Sequence, residues 1–212
     1  MSSITEKPDA QILPSGERAP LRMTFEEFLA WNSEATMAEW VDGEVIVMSP
    51  VSTRHQIISG FLFTILNLFV EKHGLGIMLS APVVIRLPNK RRGREPDLFF
   101  VAKDRAQLIK KNYLDGAADI VVEIISPESI ERDRVEKFAE YEAAGVREYW
   151  LIDPDREQAE FYVLAAENRY RLQDAPEGVY HSRVIEGFSL RVAWLWQEQL
   201  PTFEALRELK IF

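Results

Sequence analysis

Residues 120–125 read Ile120-Val121-Val122-Glu123-Ile124-Ile125, an apolar run interrupted by one carboxylate. The run has the length and β-branched content of a strand, and a strand apolar on both faces belongs in the middle of a sheet. An ionised carboxylate in such a place is costly unless it is paired or bound to a metal. Glu123 therefore reads either as a strand-end residue that meets solvent or as a metal ligand. Upstream, Pro96-Asp97 opens a second apolar stretch, Leu98-Phe99-Phe100-Val101. If these two strands pair, Asp97 and Glu123 converge on one point. Two carboxylates plus waters are a coordination set that Mg²⁺ accepts, and such an ion polarises phosphoryl oxygens and supplies hydroxide at neutral pH.

Residues 129–144, stopped by Gly145, have the spacing of a helix. On a regular α-helix Ile130, Asp133, Lys137, Tyr141 and Ala144 fall within about 80° of one another. A lysine on that apolar and aromatic face is unusual. It either snorkels to water, pairs with Asp133 at i,i+4, or brings its ammonium to the Asp97–Glu123 site to stabilise charge. Tyr141 on the same face is a candidate wall of the pocket.

Towards the N-terminus, Thr24 to Glu27 spell a capping box that opens a short helix through Trp31. Asp42-Gly43 between Glu39–Val41 and Glu44–Met48 predicts a hairpin. Ser52 or Thr53 caps a helix over residues 53–73, with Gly74 as its stop. A strand is expected over Ile77–Leu87, with Pro82 at an edge or a bulge, and a helical turn over Lys103–Lys111. Beyond the 129–144 helix come a strand at Glu148–Ile152, a meander over Glu160–Leu164 and Arg169–Leu172, and a strand at His181–Val192 that ends the sheet. A helix near Thr202–Leu209 completes the chain. The order predicts an α/β (α+β) fold with a central mixed β-sheet flanked by helices.

The chain has 212 residues, 47% hydrophobic and 28% charged, with no cysteine. That suits one domain over residues 21–212, after a polar, Pro-containing flexible tail over residues 1–20. Thiolate metal sites and disulfides are excluded. No apolar leader is visible. The longest apolar stretch, Ile57–Val70, is broken by Ser59, Gly60, Thr64 and Asn67 and falls short of the ~20 residues a bilayer span needs. The expectation is a cytoplasmic protein without a membrane segment.

A formal net charge of −9 argues against loose, sequence-independent binding to nucleic acid. Lys90, Arg91, Arg92 and Arg94 nevertheless crowd together before Asp97. They read as a solvated loop or as phosphate contacts. His55, near the start of the apolar helix, is a phosphate contact or a histidine of the capping region. Glu39 alone could be an ordinary surface residue. The three histidines form no zinc signature, and no phosphate-binding Gly-rich loop or nucleophile elbow is present.

Taken together, EWVDGEVIVMSPVSTRH, EPDLFFV, VVEIISPES, the D-x-x-x-K at Asp133 and Lys137, and YEAAGVREYWLIDP resemble the Uma-two family of restriction endonucleases, within the PD-(D/E)XK nuclease superfamily. The resemblance runs from Met23 to about Trp196. It implies a restriction-endonuclease-like core and a DNA endonuclease that uses Mg²⁺ (or Mn²⁺). Pro96-Asp97 matches the "PD", Glu123 the "(D/E)", the carbonyl of Ile124 completes the metal ligands, and Glu39 matches the upstream acidic position. The superfamily pattern calls for lysine at position 125, where this chain has Ile125; Lys137 matches the lysine that such families supply from a helix. The catalytic set implied is Glu39, Asp97, Glu123 and Lys137, with His55, Arg94 and Tyr141 as substrate contacts. A homodimer would supply the two cuts of duplex cleavage, although no residue demands one. Two other readings remain: a catalytically degenerate nucleic-acid-binding module on the same fold, and a metal-dependent hydrolase of small nucleotide substrates.

Overall fold

A computed structural model describes residues 20–32, 37–87 and 91–212. The expected tail therefore lies outside the described residues except for Pro20, and so does Lys90. Two six-stranded mixed sheets and a separate two-stranded one account for the strands.

The sheet that carries Glu123 runs in the order β12 (Tyr170–Gln173), β11 (Gln158–Leu164), β10 (Glu148–Asp153), β9 (Ile120–Ile124), β7 (Leu98–Ala102), β4 (Gly76–Ser80). β9 and β10 are parallel, joined by a helical crossover, and all other neighbours are antiparallel. β9 is buried at every position, as its composition predicts. Its alternate residues serve two cores. Ile120, Val122 and Ile124 meet α2 (Thr53–His73) and the C-terminal segment. Val121 packs on the opposite face with Tyr141 and Val146 from the crossover helix and its end. The helix α2 starts at Ser52, whose Oγ accepts from the His55 N–H, and ends at Gly74 with φ 63°, a conformation glycine adopts without penalty.

The second sheet runs β1 (Leu21–Arg22), β3 (Glu44–Val47), β2 (Ala38–Val41), β6 (Arg92–Arg94), β5 (Val84–Leu87), β8 (Tyr113–Asp115). The expected hairpin is there: Val41 faces Glu44 across a two-residue turn in which Asp42 and Gly43 both have positive φ, 51° and 94°. The capping box also forms, with Thr24 N–H donating to Glu27 and Glu27 N–H to Thr24 Oγ1, at the head of α1 (Phe25–Asn32).

Three expectations need correction. The strand expected over Ile77–Leu87 is two strands, β4 and β5, in different sheets. Pro82 divides them because it has no N–H for a ladder. The expected last strand, His181–Val192, is a hairpin of β13 (Val179–His181) and β14 (Ser189–Arg191) that forms its own sheet. It is held to β10 by Glu148, which accepts from the N–H of Val184 at 2.8 Å and the indole of Trp150 at 2.9 Å. Finally, the crossover helix is not regular. Arg132–Lys137 is a π-helical segment, and only Phe138–Ala144 (α3) is α-helical. The final helix, α4, spans Thr202–Glu208.

Arg94 joins the second sheet to the crossover helix. The β2–β6 register, Trp40 opposite Gly93, puts Glu39 opposite Arg94 one step on. The guanidinium has no exposure and reaches Glu39 at 2.6 Å and Glu140 at 2.7 Å. Burial pushes Glu39 upward, but Lys137 and Arg94 outweigh it and hold the carboxyl at about 2.

Two outcomes are expected. Gly76→Ala would put a Cβ 2.1 Å from the Val101 carbonyl oxygen, a backbone clash in the β4–β7 pair, and should destabilise by about 1–3 kcal/mol or more in urea unfolding. Because the folded-state pKa of Glu39 lies below its ordinary 4.5, the stability it contributes is complete above that value and is lost as pH falls towards about 2. Unfolding free energy over that window should therefore fall more steeply for the native chain than for Glu39→Gln.

Candidate active site

The antiparallel register of β7 and β9 sets Leu98 opposite Val122. Asp97 lies in the bend just before β7, and its carboxylate reaches the backbone N–H of Ile124, the residue after Glu123. Two like charges so placed repel unless something positive sits between or beside them. Both line one cavity of about 100 Å³, together with Ile124, His55, Glu95, Glu128, Arg132, Asp133 and Lys137.

Asp97 is held from two sides. Oδ1 receives His55 Nε2 at 2.8 Å, and Oδ2 accepts from the backbone N–H of Ile124 at 2.7 Å. The His55 contact follows from the first turn of α2, which points the ring across the end of β7. His55 Nδ1 is buried and has no partner. The imidazole thus holds Asp97 through Nε2 and also lines the cavity.

Glu123 uses Oε1 to accept from Lys137 Nζ at 2.8 Å and from the Tyr141 hydroxyl at 3.1 Å. No hydrogen bond reaches Oε2 among the described residues. Burial raises its pKa well above the ordinary range. The Lys137 ammonium opposes that rise, while the carboxylates of Asp133, Asp97 and Glu39 add to it. Lys137 Nζ also lies 2.9 Å from Glu39 and 3.3 Å from Asp133, with the side chain only 2% exposed. Burial works against its charge, but Glu123, Glu39 and Asp133 together hold it protonated. Of the three sequence-level readings of Lys137, snorkelling is ruled out by this burial.

Asp97, Glu123, Ile124, Lys137 and His55 are therefore brought together, and Glu39 joins them through Lys137. Two expected substrate contacts are not at the cavity surface. Arg94 is fully buried behind Glu39, with its donors committed to Glu39, Glu140 and Glu136, so it is a counter-ion and not a phosphate contact. Tyr141 has no exposure and stands behind Glu123, to which it donates. Of the basic group before Asp97, Arg92 pairs with Glu140 and Asp42, whereas Arg91 is exposed.

Sequence reasoning missed Glu95 and Arg132. Glu95 is buried, and its Oε2 accepts from the Ala38 N–H at 3.3 Å and from Asn32 at 3.4 Å. Desolvation raises it to about 7. Its signal was available: Glu95 and Asp97 are two residues apart, the period that puts side chains on one face of an extended segment. Arg132 had no such signal, because its direction depends on the π-helical segment.

Among the described residues no group of three or more His, Asp or Glu side chains is placed to hold a metal ion. What the cavity offers is two carboxylates, Asp97 and Glu123, with one Glu123 oxygen free of hydrogen bonds. That is an open set, and it suits a cation that keeps waters.

The chain matches the family model of Uma2, described as "Putative restriction endonuclease", over residues 25–193. That span takes in Glu39, Asp97, Glu123 and Lys137. A solved structure from Anabaena variabilis ATCC 29413, described as a "putative nuclease belonging to DUF820", is similar over 82% of this chain and 97% of its own, with a TM-score of 0.69. At 18% sequence identity the likeness is one of fold. No curated protein matches the chain. No helix among the described residues is long and apolar enough to cross a membrane. Since the family model covers most of the sequence, from α1 into the short helical turn after β14, the chain belongs to the Uma2 family of restriction-endonuclease-like nucleases.

Proposed function

We propose that this protein is a Mg²⁺-dependent (or Mn²⁺-dependent) DNA endonuclease that hydrolyses phosphodiester bonds at the Asp97–Glu123–Lys137 site. The observation that carries the proposal is the convergence of two carboxylates and one buried ammonium on a single cavity.

Asp97 and Glu123, with the Ile124 carbonyl, would hold the cation. When bound, such an ion polarises a phosphoryl oxygen and makes a water nucleophilic at neutral pH. His55 and the Ile124 N–H fix the carboxylate plane of Asp97. Lys137 fixes Glu123 through Oε1. Its proton stays on Nζ, so it brings a permanent positive charge to a water-poor site, where charge developing on the scissile phosphate is stabilised most. Glu39 and Asp133 aim that ammonium from either side.

The cavity of about 100 Å³ is small beside the roughly 300–1,000 Å³ that encloses a whole small ligand. It accommodates a backbone phosphate with the bases outside. This favours a polymer over a mononucleotide as substrate.

Plasmid DNA should be nicked in the presence of Mg²⁺ or Mn²⁺. Asp97→Ala, Glu123→Gln and Lys137→Met should each lower kcat by about 10²–10⁴-fold, while Glu123→Gln keeps its fold by circular dichroism. Glu123→Gln should also weaken Mn²⁺ binding in calorimetry. Uncut plasmid under all conditions, or cleavage indifferent to Asp97→Ala, would reject the proposal. Turnover on mononucleotide diesters exceeding that on plasmid would move the substrate to the small-molecule class.

A further inference from the structure

The cavity walls are strongly acidic. Glu95, Asp97, Glu123, Glu128 and Asp133 all line it, whereas the ammonium of Lys137 is already shared among three carboxylates. A phosphodiester approaching this surface meets net repulsion unless another cation faces it. Arg132 is that cation. It lines the same cavity, at the first position of the π-helical segment. Its Nε is buried and has no hydrogen-bond partner. Among the described residues its one carboxylate neighbour within 4.0 Å is Asp133 Oδ1, at 3.9 Å, beyond hydrogen-bonding reach. A buried guanidinium N–H left unsatisfied costs free energy, and the planar fork of arginine matches two oxygens of a phosphate. Arg94, the arginine of the basic sequence cluster closest to Asp97, cannot serve here because it has no exposure.

We infer that Arg132 binds the scissile phosphodiester, the N–H groups at the accessible end of its guanidinium donating to the phosphate oxygens. The inference rests on the nuclease reading for the identity of the substrate, but not for the anion site itself. The side chain, 21% exposed, is accessible from the cavity. Its π-helical position sets it one turn ahead of Lys137, so that two cations of the same segment lie at one cavity: Lys137 bound to carboxylates, Arg132 left to meet the anion.

The test uses the full-length protein and dimethyl phosphate, the smallest phosphodiester. The Arg132 Nε–Hε resonance, assigned by its loss in Arg132→Lys, should shift saturably on titration with dimethyl phosphate in Mg²⁺, and that of buried Arg94 should not. In parallel, Arg132→Gln should raise KM for an oligonucleotide by about 10- to 100-fold, the range of a charged hydrogen bond, with kcat changed by less than about threefold and thermal stability retained. Arg132→Lys should fall between. An Arg132 resonance that does not move, in a protein that cleaves DNA, overturns the inference and leaves the nuclease reading standing. A shift in a protein that cleaves no DNA supports the phosphate site and removes the nuclease reading. A drop in kcat at unchanged KM overturns the inference as well, and assigns Arg132 to steadying Asp133.

Discussion

A single ammonium, that of Lys137, has to be kept charged out of reach of water, and much of the architecture around the site follows from that. An unpaired buried cation would cost several kcal/mol or lose its proton. Here it is met at 2.8 Å by Glu123, at 2.9 Å by Glu39 and at 3.3 Å by Asp133. Those partners come from β9, β2 and the π-helical segment, so one charge ties both large sheets to the crossover helix. Arg94 extends the tie from Glu39 to Glu140. Apolar packing at the same joint could be as stable or more so. What the ionic joint supplies instead is direction, because hydrogen bonds fix which way each carboxylate points.

The second constraint is the register of β7 against β9. It brings Asp97, in the bend before β7, to the end of β9, where the Ile124 N–H binds its carboxylate. A slip of one residue would turn Glu123 to the other face of the sheet. Such a slip is opposed by the cores on both sides, since Leu98 and Phe100 face α2 while Phe99 and Val101 face the crossover helix. Full burial of these strands on both faces is thus what makes the carboxylate pair reproducible. The packing thus holds two like charges close together, with the Lys137 ammonium on Glu123 as the nearest compensation.

The net charge of −9 acquires a different meaning from this internal arrangement. Several arginines that composition alone would offer to a polyanion are spent on carboxylates: Arg92 on Glu140, Arg105 on Asp119, Arg134 on Glu160. Affinity for a nucleic-acid backbone spread over a basic surface is not what this sequence was built for. A short contact at one cavity, supported by a metal ion, is compatible with an acidic exterior.

Elements whose signals are local could be read from the sequence. The Asp42-Gly43 hairpin, the Thr24–Glu27 capping box and the Ser52-to-Gly74 helix each follow from backbone preferences that act within a few residues. The central strand at Ile120 is equally legible, because a run apolar on both faces has few other places to go. Asp97 and Glu123 stood out because each interrupts or borders such a run. What the sequence could not decide was relative placement. The fates of Arg94 and Tyr141, buried behind the site, depend on which strand lies beside which. The split at Pro82 and the separate β13–β14 hairpin depend on partners distant in the chain. The direction of Arg132 depends on a π-helical turn that no local propensity announces. Local preference, acting through backbone geometry, determined the elements and the acidic pair; long-range packing and the pairing of buried charges decided which cations hold the site together and which one is left facing it.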